Sequence, residues 1–185
     1  MQTLTDEQLV ERIKADQGRG FAHLYHRYKH RVYAYCYRLL RHPQNAEDAT
    51  QETFMKIHRS LHQLENPGSL QTWMFSIARN EAFTILRRAR PVEELEKAEN
   101  EVWEEEGPLE QIVERERAAI VQHCVTLLKP AYREVLILRE YEHFSYSEIA
   151  RVTGTSESAV KSALFKARKA MGKKLDSMMN ERDEQ

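Results

Sequence analysis

The chain has 185 residues, of which 41% are hydrophobic and 31% charged, enough for one sizeable domain or two small ones with a core. No apolar run approaches the length of a membrane span, and the acidic, amphipathic start is unlike a secretory signal, so neither a membrane protein nor an exported one is expected. Cys36 and Cys124 lack CxxC spacing, which favours buried thiols in a reducing cytoplasm over a disulfide framework.

The net charge of −1 conceals blocks of opposite sign. Residues 21–90 carry eleven basic and five acidic side chains, a balance of +6, and residues 119–185 carry eleven and nine, a balance of +2. Between them, residues 91–118 carry three basic and eleven acidic side chains, a balance of −8. This pattern indicates two modules that face a polyanion, joined by an acidic segment.

Apolar residues at steps of three and four predict three helices in the first module, and few glycines and prolines interrupt them. The helices are expected over about 21–41, 46–62 and 72–88, and the last ends in the basic cluster Arg87, Arg88 and Arg90. Asn66-Pro67-Gly68 has the turn chemistry of a loop between the second and third helices.

The acidic, proline-bounded stretch 91–111 reads as a linker. Helical periodicity resumes over 112–128, and Pro130 suits the first turn of a helix over about 131–142. No useful strand alternation appears. The predicted fold is therefore all-α, with two small helical bundles (1–90 and 112–185) joined by the linker.

Two short helical patterns near the C-terminus are separated by one glycine. Ser145 and Glu148 have the spacing of a capping box, Gly154 ends the first helix, and Thr155 or Ser156 caps the second. This arrangement is typical of a helix-turn-helix, whose second helix enters the DNA major groove.

The second of these helices carries charge of one sign. Between Ala159 and Lys174 there are six basic residues and no acidic one, and all of them except Lys174 lie opposite an apolar stripe. The alternative is an ordinary solvated basic helix. Phe165 lies within the basic face, where it could pack on a thymine methyl or a base, or be a tolerated surface residue.

Three segments together resemble a known family. "NAEDATQETFMKIHRSL" (45–61), "LQTWMFSIARNEAFTILRR" (70–88) and the C-terminal helix-turn-helix resemble a bacterial RNA polymerase sigma factor of the sigma-70 family. The resemblance is to the extracytoplasmic-function (ECF) group, which keeps only the second and fourth sigma domains. It implies a sigma domain 2 before the linker and a sigma domain 4 after it.

In that family the first of these helices docks on the clamp helices of the polymerase β′ subunit, and the C-terminal domain meets the β flap. The resemblance therefore implies a core-polymerase-binding set consisting of Glu47, Asp48, Gln51, Glu52 and nearby Phe54. An acidic row in a basic module would repel DNA, which favours a basic protein partner. The alternative is the ordinary preference of acids for a helix N-terminus.

The resemblance also implies two DNA-binding sets and assistance in promoter melting. For the −10 element, whose flipped base must be stacked or hydrogen-bonded again, the set is Asn66, Gly68, Ser69, Arg79, Asn80, Phe83, Arg87 and Arg88. For the −35 element, the set is Lys161, Ser162, Phe165 and Lys166 as readers, with Arg168, Lys169 and Ser156 on phosphate.

Two other classes of protein were weighed. An enzyme would need a site, but "HRSLH" at 58–62 lacks the glutamate of a zinc-protease helix, and no phosphate loop or nucleophile elbow is present. A helix-turn-helix repressor would need a sensor or dimer domain in the first half. The prediction is a non-enzymatic transcription initiation factor with no cofactor or metal. Many relatives are held inactive by an anti-sigma factor, so the resemblance adds such a protein as a candidate partner.

Overall fold

The computed structural model describes residues 4–15, 17–88, 120–121 and 123–183, and within those ranges the chain is helical, with no strand. An N-terminal bundle contains four helices: α1 (Asp6–Ala15), α2 (Gln17–Leu40), α3 (Pro43–Ser60) and α4 (Leu70–Arg88). Short 3₁₀ turns at Leu61–Gln63 and Pro67–Ser69 connect α3 to α4. The three helices predicted here are confirmed, and the segment predicted as a loop contains a 3₁₀ turn.

Helix α1 was not predicted as a helix, because ten residues carry too little periodic signal and a helix this short is marginal alone. Tertiary packing stabilises it: Leu9, Val10 and Ile13 are buried. Gly20 lets α2 approach closely, since a Cβ there would lie 2.6 Å from the Cα of Ile13. The first helix therefore depends on its neighbour.

Asp6, at the start of α1, connects that helix to α2 and α4 through side-chain hydrogen bonds. Its carboxylate accepts hydrogen bonds from Arg27 (3.0 Å), the Tyr28 hydroxyl (2.6 Å) and the Gln71 amide (2.8 Å). Burial and the Asp6 carboxylate raise the pKa of Tyr28, so its hydroxyl stays a donor at physiological pH.

The C-terminal bundle contains α5 (Pro130–Leu136), a π-helical turn (Ile137–Tyr141), α6 (Tyr146–Thr153) and α7 (Glu157–Asp183). Residues 120–121 and 123–126 are also helical. Pro130 occupies the first turn of α5 as predicted. The helix predicted over about 131–142 is present, but only its first half is α-helical. The Glu142 N–H bonds to the Ile137 carbonyl (3.2 Å), five residues back, so the α-helical ladder ends at Leu136.

The two bundles pack directly on each other and share one continuous core. Phe75 of α4 meets Phe144, which precedes α6, edge to face with ring centroids 5.2 Å apart. The sequence predicted two bundles but not this contact. The predicted linker, 91–111, lies outside the described residues, so its boundaries stay a prediction.

Candidate nucleic-acid interface

The predicted caps of the helix-turn-helix are confirmed. The Ser145 hydroxyl accepts from the Glu148 N–H (3.3 Å). The Glu148 carboxylate accepts from the Ser145 hydroxyl (2.7 Å) and from the Ser145 N–H (2.8 Å), and these two hydrogen bonds lower the pKa of Glu148. Gly154 ends α6 at φ 66°, in the left-handed region. Ser156, rather than Thr155, caps α7 by accepting from the Ala159 N–H (3.2 Å).

Helix α7 has the predicted two faces. Val160, Leu164 and Ala167 are buried against the bundle. The exposed side contains all the residues predicted to contact the −35 element on this helix: Lys161, Ser162, Phe165, Lys166, Arg168 and Lys169. Phe165 is 70% exposed, which is unusual for a phenylalanine and leaves its ring available to a partner.

Two of the basic side chains on α7 have neighbours within the bundle. Arg168 pairs with Glu140 at 2.9 Å, but both side chains are about half exposed (54% and 53%), so the pair is easily exchanged for another anion. The Lys161 ammonium lies 5.7 Å from the centre of the Tyr146 ring. The face is therefore basic, accessible and partly pre-oriented.

The loop that is predicted to bind the −10 element is a turn held by hydrogen bonds between its own residues. The Asn66 side chain accepts from the Gly68 N–H (3.0 Å), and the Ser69 hydroxyl donates to the Asn66 carbonyl (2.7 Å). Asn66 and Gly68 are exposed and Ser69 is half-buried. Its own hydrogen bonds hold the loop in shape at the start of α4.

Further along α4, the predicted −10 residues differ in accessibility. Asn80, Arg87 and Arg88 are exposed, and Phe83 is half-buried. The Arg79 guanidinium lies over the Phe83 ring, 4.5 Å from its centre. Its Nε lies 2.7 Å from Oε1 of Glu134 in the C-terminal bundle, without an aligned N–H, so the contact is an ion pair. Arg79 is therefore occupied by the other bundle.

The acidic row on α3 points outward as predicted. Glu47, Asp48, Gln51 and Glu52 are all exposed. Phe54 differs, since it is only 4% exposed and packs edge to face on Tyr25, with centroids 4.9 Å apart. Phe54 is thus first a packing residue, and its polymerase-binding role stays a prediction.

Phe54 lines an open groove of about 700 Å³ between α2 and α3. The groove combines aromatic and apolar side chains with basic ones and with Glu47; among its lining residues are Tyr25, Lys29, Tyr33, Met55 and Arg59. Tyr25 and Met55 are 41% and 38% exposed. The acidic row therefore borders a concave, partly apolar surface suited to a protein partner.

The sequence did not predict a set of charged side chains that lie where the two bundles meet. This charged seam consists of Arg31, Arg79, Arg133, Glu134 and Glu142. Glu134 on α5 has a side chain that is 3% exposed, between Arg79 and the Tyr35 hydroxyl, which donates to it at 3.2 Å. Burial raises its pKa to about 7, although Arg79 and Tyr35 oppose that shift. One signal was available: Glu134 shares a helical face with Ile137 and Leu138, in an otherwise apolar run.

A second pair and a buried arginine extend the seam. Arg31 of α2 pairs with Glu142 at 3.0 Å, and the Glu142 side chain is 4% exposed. Arg133 donates to the carbonyls of Leu39 (2.6 Å) and Thr126 (2.6 Å). Burial lowers the pKa of Arg133 to about 10, so it stays protonated at neutral pH.

Across the described ranges, no three histidine, cysteine or acidic side chains come together as metal ligands would. In the same ranges, no helix has the length and apolar character needed to cross a membrane. Burial raises the pKa of the Cys36 thiol to about 12, so it stays protonated.

Comparison with known proteins agrees with this geometry. Two family models match, Sigma-70 region 2 over residues 24–92 and Sigma-70, region 4 over residues 118–171. The chain is 33% identical to the RNA polymerase sigma-H factor of Pseudomonas aeruginosa, covering 95% of this chain and 96% of that one. It is 30% identical to the ECF RNA polymerase sigma-E factor of Escherichia coli, covering 95% and 97%.

Two solved structures share the fold. CnrH, in complex with the cytosolic domain of CnrY, superposes with a TM-score of 0.70 at 22% identity, covering 93% of this chain and 97% of that one. RpoE of Bartonella quintana, in complex with the anti-sigma factor NepR, superposes with a TM-score of 0.68 at 23% identity, covering 84% and 96%.

An all-helical fold, a capped helix-turn-helix and an accessible basic helix define a promoter-binding transcription factor. Together with the two matched regions, they show that the chain belongs to the sigma-70 family of RNA polymerase sigma factors, in its ECF group. It is a promoter-specific initiation factor whose partners are core RNA polymerase and promoter DNA.

Proposed function

We propose that α3 attaches this sigma factor to the polymerase β′ clamp helices, that α4 with its preceding loop binds the −10 element, and that α7 reads the −35 element. The observation that supports this most strongly is the exposed, single-sign face of α7 with Phe165 at its centre. A basic helix placed by a helix-turn-helix fits the major groove, where side chains reach base edges.

The roles on α7 follow from side-chain chemistry. Lys161, Ser162, Phe165 and Lys166 lie near the helix start and read base edges. Arg168 and Lys169 lie further along and neutralise phosphates, and Ser156 with the α7 N-terminus holds another phosphate. When DNA binds, the Arg168 guanidinium leaves its ion pair with Glu140 and contacts a phosphate instead.

On the N-terminal bundle, the loop and α4 act on the non-duplex part of the promoter. The loop residues Asn66, Gly68 and Ser69 form the wall against which a flipped base is held. Asn80 offers amide donors and an acceptor to its edge, and Phe83 a ring face. Arg79, Arg87 and Arg88 neutralise the backbone, and capture of the unstacked base assists melting.

Glu47, Asp48, Gln51 and Glu52 form the polymerase contact, with Phe54 in the floor of the adjoining groove. Charge complementarity with a basic partner gives this contact its orientation. The C-terminal bundle meets the β flap. The polymerase forms the phosphodiester bonds, so this chain acts without being an enzyme. It acts in the cytoplasm, where the polymerase transcribes.

An anti-sigma factor is a further proposed partner. The structural relative RpoE of Bartonella quintana was solved with one, and the open α2–α3 groove of this chain offers an exposed, partly apolar surface to such a protein.

The test is run-off transcription with purified core polymerase on promoters selected from random sequence by the reconstituted holoenzyme. We expect transcripts that depend on both the chain and a −35 element. A helix-turn-helix repressor, the alternative, would bind promoter duplex alone as a dimer and give no core-dependent transcripts. Gel filtration and mobility shift with and without core separate the two functions.

A further inference from the structure

We propose that Asp6 is a positioning residue for the −10 element: its carboxylate, acting through Gln71, fixes where the loop 66–69 stands and so where that loop holds a flipped base. Asp6 and Gln71 are 65 residues apart in the sequence. The inference rests on the proposed function of the loop and adds a residue of α1 on which that function depends.

The first support is that the hydrogen bonds within the loop fix its shape but not its place. The Asn66 side chain accepts from the Gly68 N–H (3.0 Å), and the Ser69 hydroxyl donates to the Asn66 carbonyl (2.7 Å). A turn closed on itself in this way can still shift or tilt as a unit. A binding site needs its groups held to within about 0.5 Å, so other contacts must hold the turn in place.

The second support is that Gln71 connects the end of the loop to two other helices. Gln71 is the second residue of α4, and its amide nitrogen donates to Oδ2 of Asp6 on α1 (2.8 Å). Its amide oxygen accepts from Arg31 of α2 (3.3 Å). A carboxylate only accepts and a guanidinium only donates, so one orientation of the amide satisfies both neighbours. The side chain therefore holds the start of α4 in one position.

The third support is that Asp6 is itself held on several sides. Its Oδ1 accepts from Arg27 (3.0 Å) and from the Tyr28 hydroxyl (2.6 Å), both on α2, so Oδ2 remains for Gln71. Arg27 also donates to the Leu4 carbonyl (2.6 Å), just before α1. Hydrogen bonds to a charged group are the strong ones. The carboxylate is therefore an anchor of fixed direction.

The fourth support is that α1 lies directly beside the loop. A Cβ at Gly68 would lie 3.5 Å from Oε1 of Glu7, so a shift of α1 would reach the loop. Leu64 and Leu70, on either side of the loop, are buried. Apolar contacts are non-directional, however, and do not fix the orientation of a turn. The directional contact is the hydrogen bond from Gln71 to Asp6.

The experiment exchanges the amide and the carboxylate between positions 6 and 71. In Asp6→Asn the amide oxygen is still required by Arg27 and Tyr28, so the new N–H group faces the N–H group of Gln71. Gln71→Glu alone places two carboxylates opposite each other. In the double variant the new amide at position 6 donates to the new carboxylate at position 71, whose other oxygen can still accept from Arg31.

The readout is discrimination at the −10 element by holoenzyme reconstituted with each variant. Promoters are those selected from random sequence by wild-type holoenzyme, and the probe is a labelled non-template-strand oligonucleotide with the selected −10 sequence or a single-base substitution. We expect each single variant to lose about fivefold in discrimination at the captured base, the effect of one ordinary hydrogen bond. The double variant should recover it, and discrimination at the −35 element should not change.

The design also separates positioning from a simple effect of charge. Asp6→Asn makes the chain more positive by one charge, Gln71→Glu makes it more negative by one, and the double variant leaves the charge unchanged. A charge effect on DNA binding therefore has opposite signs in the two single variants. A positioning effect has the same sign in both. Opposite changes in discrimination, or losses that the double variant does not recover, would overturn the inference.

Ile13→Val is the control for a general loosening of α1. It removes a buried methylene between α1 and α2 and leaves the hydrogen bonds of Asp6 in place. Thermal unfolding measures its loss of stability beside that of Asp6→Asn, and its discrimination at the −10 element should equal that of wild type. An equal loss of discrimination in both variants would mean that α1 acts only through stability, against the inference.

Asn66→Ala distinguishes failure of this inference from failure of the proposed function. If Asn66→Ala lowers discrimination at the −10 element and Asp6→Asn does not, the loop keeps its function and the positioning role of Asp6 is wrong. If Asn66→Ala has no effect, the loop does not hold the base, and the positioning role is wrong with it.

Discussion

Two exposed lysines on α7 have different proposed roles, base reading for Lys166 and phosphate binding for Lys169. Lys166→Ala should lose discrimination at one −35 position, by about 1–3 kcal/mol, because it removes the proposed base-edge donor. Lys169→Ala should weaken binding to all sequences and reduce the salt slope by about one. Fluorescence anisotropy of the holoenzyme on −35 variants measures both. Equal losses on specific and scrambled DNA would show that the face only grips phosphate.

Glu134 gives the folded chain a pH dependence. Its pKa is about 7 in the folded chain against 4.5 when solvated, so its contribution to stability is present below about 4.5 and is lost as pH rises through about 7. The groups that face it are the Arg79 guanidinium and the Tyr35 hydroxyl, whose pKa burial raises.

We therefore expect the denaturant midpoint to fall between pH 5 and pH 8, and to fall less in Glu134→Gln. Glu142 adds a change of the same direction, because its pKa is also raised by burial, against Arg31, Arg38 and His143. The variant thus reduces the slope without removing it. Identical slopes in variant and wild type would mean that Glu134 does not titrate in this range.

At the scale of the element, α3 is the proposed polymerase contact. Reversing Asp48 and Glu52 to Lys together should weaken core binding by about 2–5 kcal/mol, the usual range for breaking one buried charge pair. Binding of free protein to −35 duplex should be unchanged. The same reversal at both Glu7 and Glu11, two exposed acids of α1, makes the same change in net charge away from α3 and is the control. An unaltered affinity of the double variant for core polymerase would show that Asp48 and Glu52 are not part of the polymerase contact.

Two helical glycines should respond to alanine with opposite signs. Gly20→Ala places a Cβ 2.6 Å from the Cα of Ile13, so α1 must move from α2 and stability must fall, by about 1–3 kcal/mol. Gly172 in α7 has nothing within 4 Å of such a Cβ, so Gly172→Ala should stabilise by about 0.5–1 kcal/mol. Thermal unfolding measures both, and a neutral Gly20→Ala would contradict the close packing.

Elements were predicted well wherever their signal is local. Ser145, Glu148 and Gly154 act within a few residues of each other, so their spacing alone located the helix-turn-helix. The π-helical turn was missed because periodicity cannot distinguish an i+5 bond from an i+4 bond over one turn. Phe54 was assigned to a surface, and only its contact with Tyr25 reveals its burial.

At the scale of the whole molecule, we propose that the acidic segment 91–111 limits DNA binding by the free chain by folding back on the basic faces. On that proposal, replacing Glu104, Glu105 and Glu106 with Gln should raise the DNA affinity of the free protein at low salt. These residues lie outside the described ranges. The gain should fade as salt rises, since screening acts beyond about 8–10 Å.

Anisotropy titrations of wild-type protein and the triple glutamine variant across a salt series measure this gain and its loss. If the triple glutamine variant binds DNA at low salt with the same affinity as wild type, the acidic segment acts only as a spacer.

The sequence by itself determined the helical class, the helix-turn-helix, the single-sign face of α7 and the resemblance to ECF sigma factors. Each of these depends on residues within a turn or two of each other, or on composition. Only the tertiary structure decided that the bundles close on each other and that Arg79 meets Glu134. Tyr35 and Glu134 are 99 residues apart, and no local pattern states which buried acid will face which arginine. That choice is made by the summed packing of both bundles.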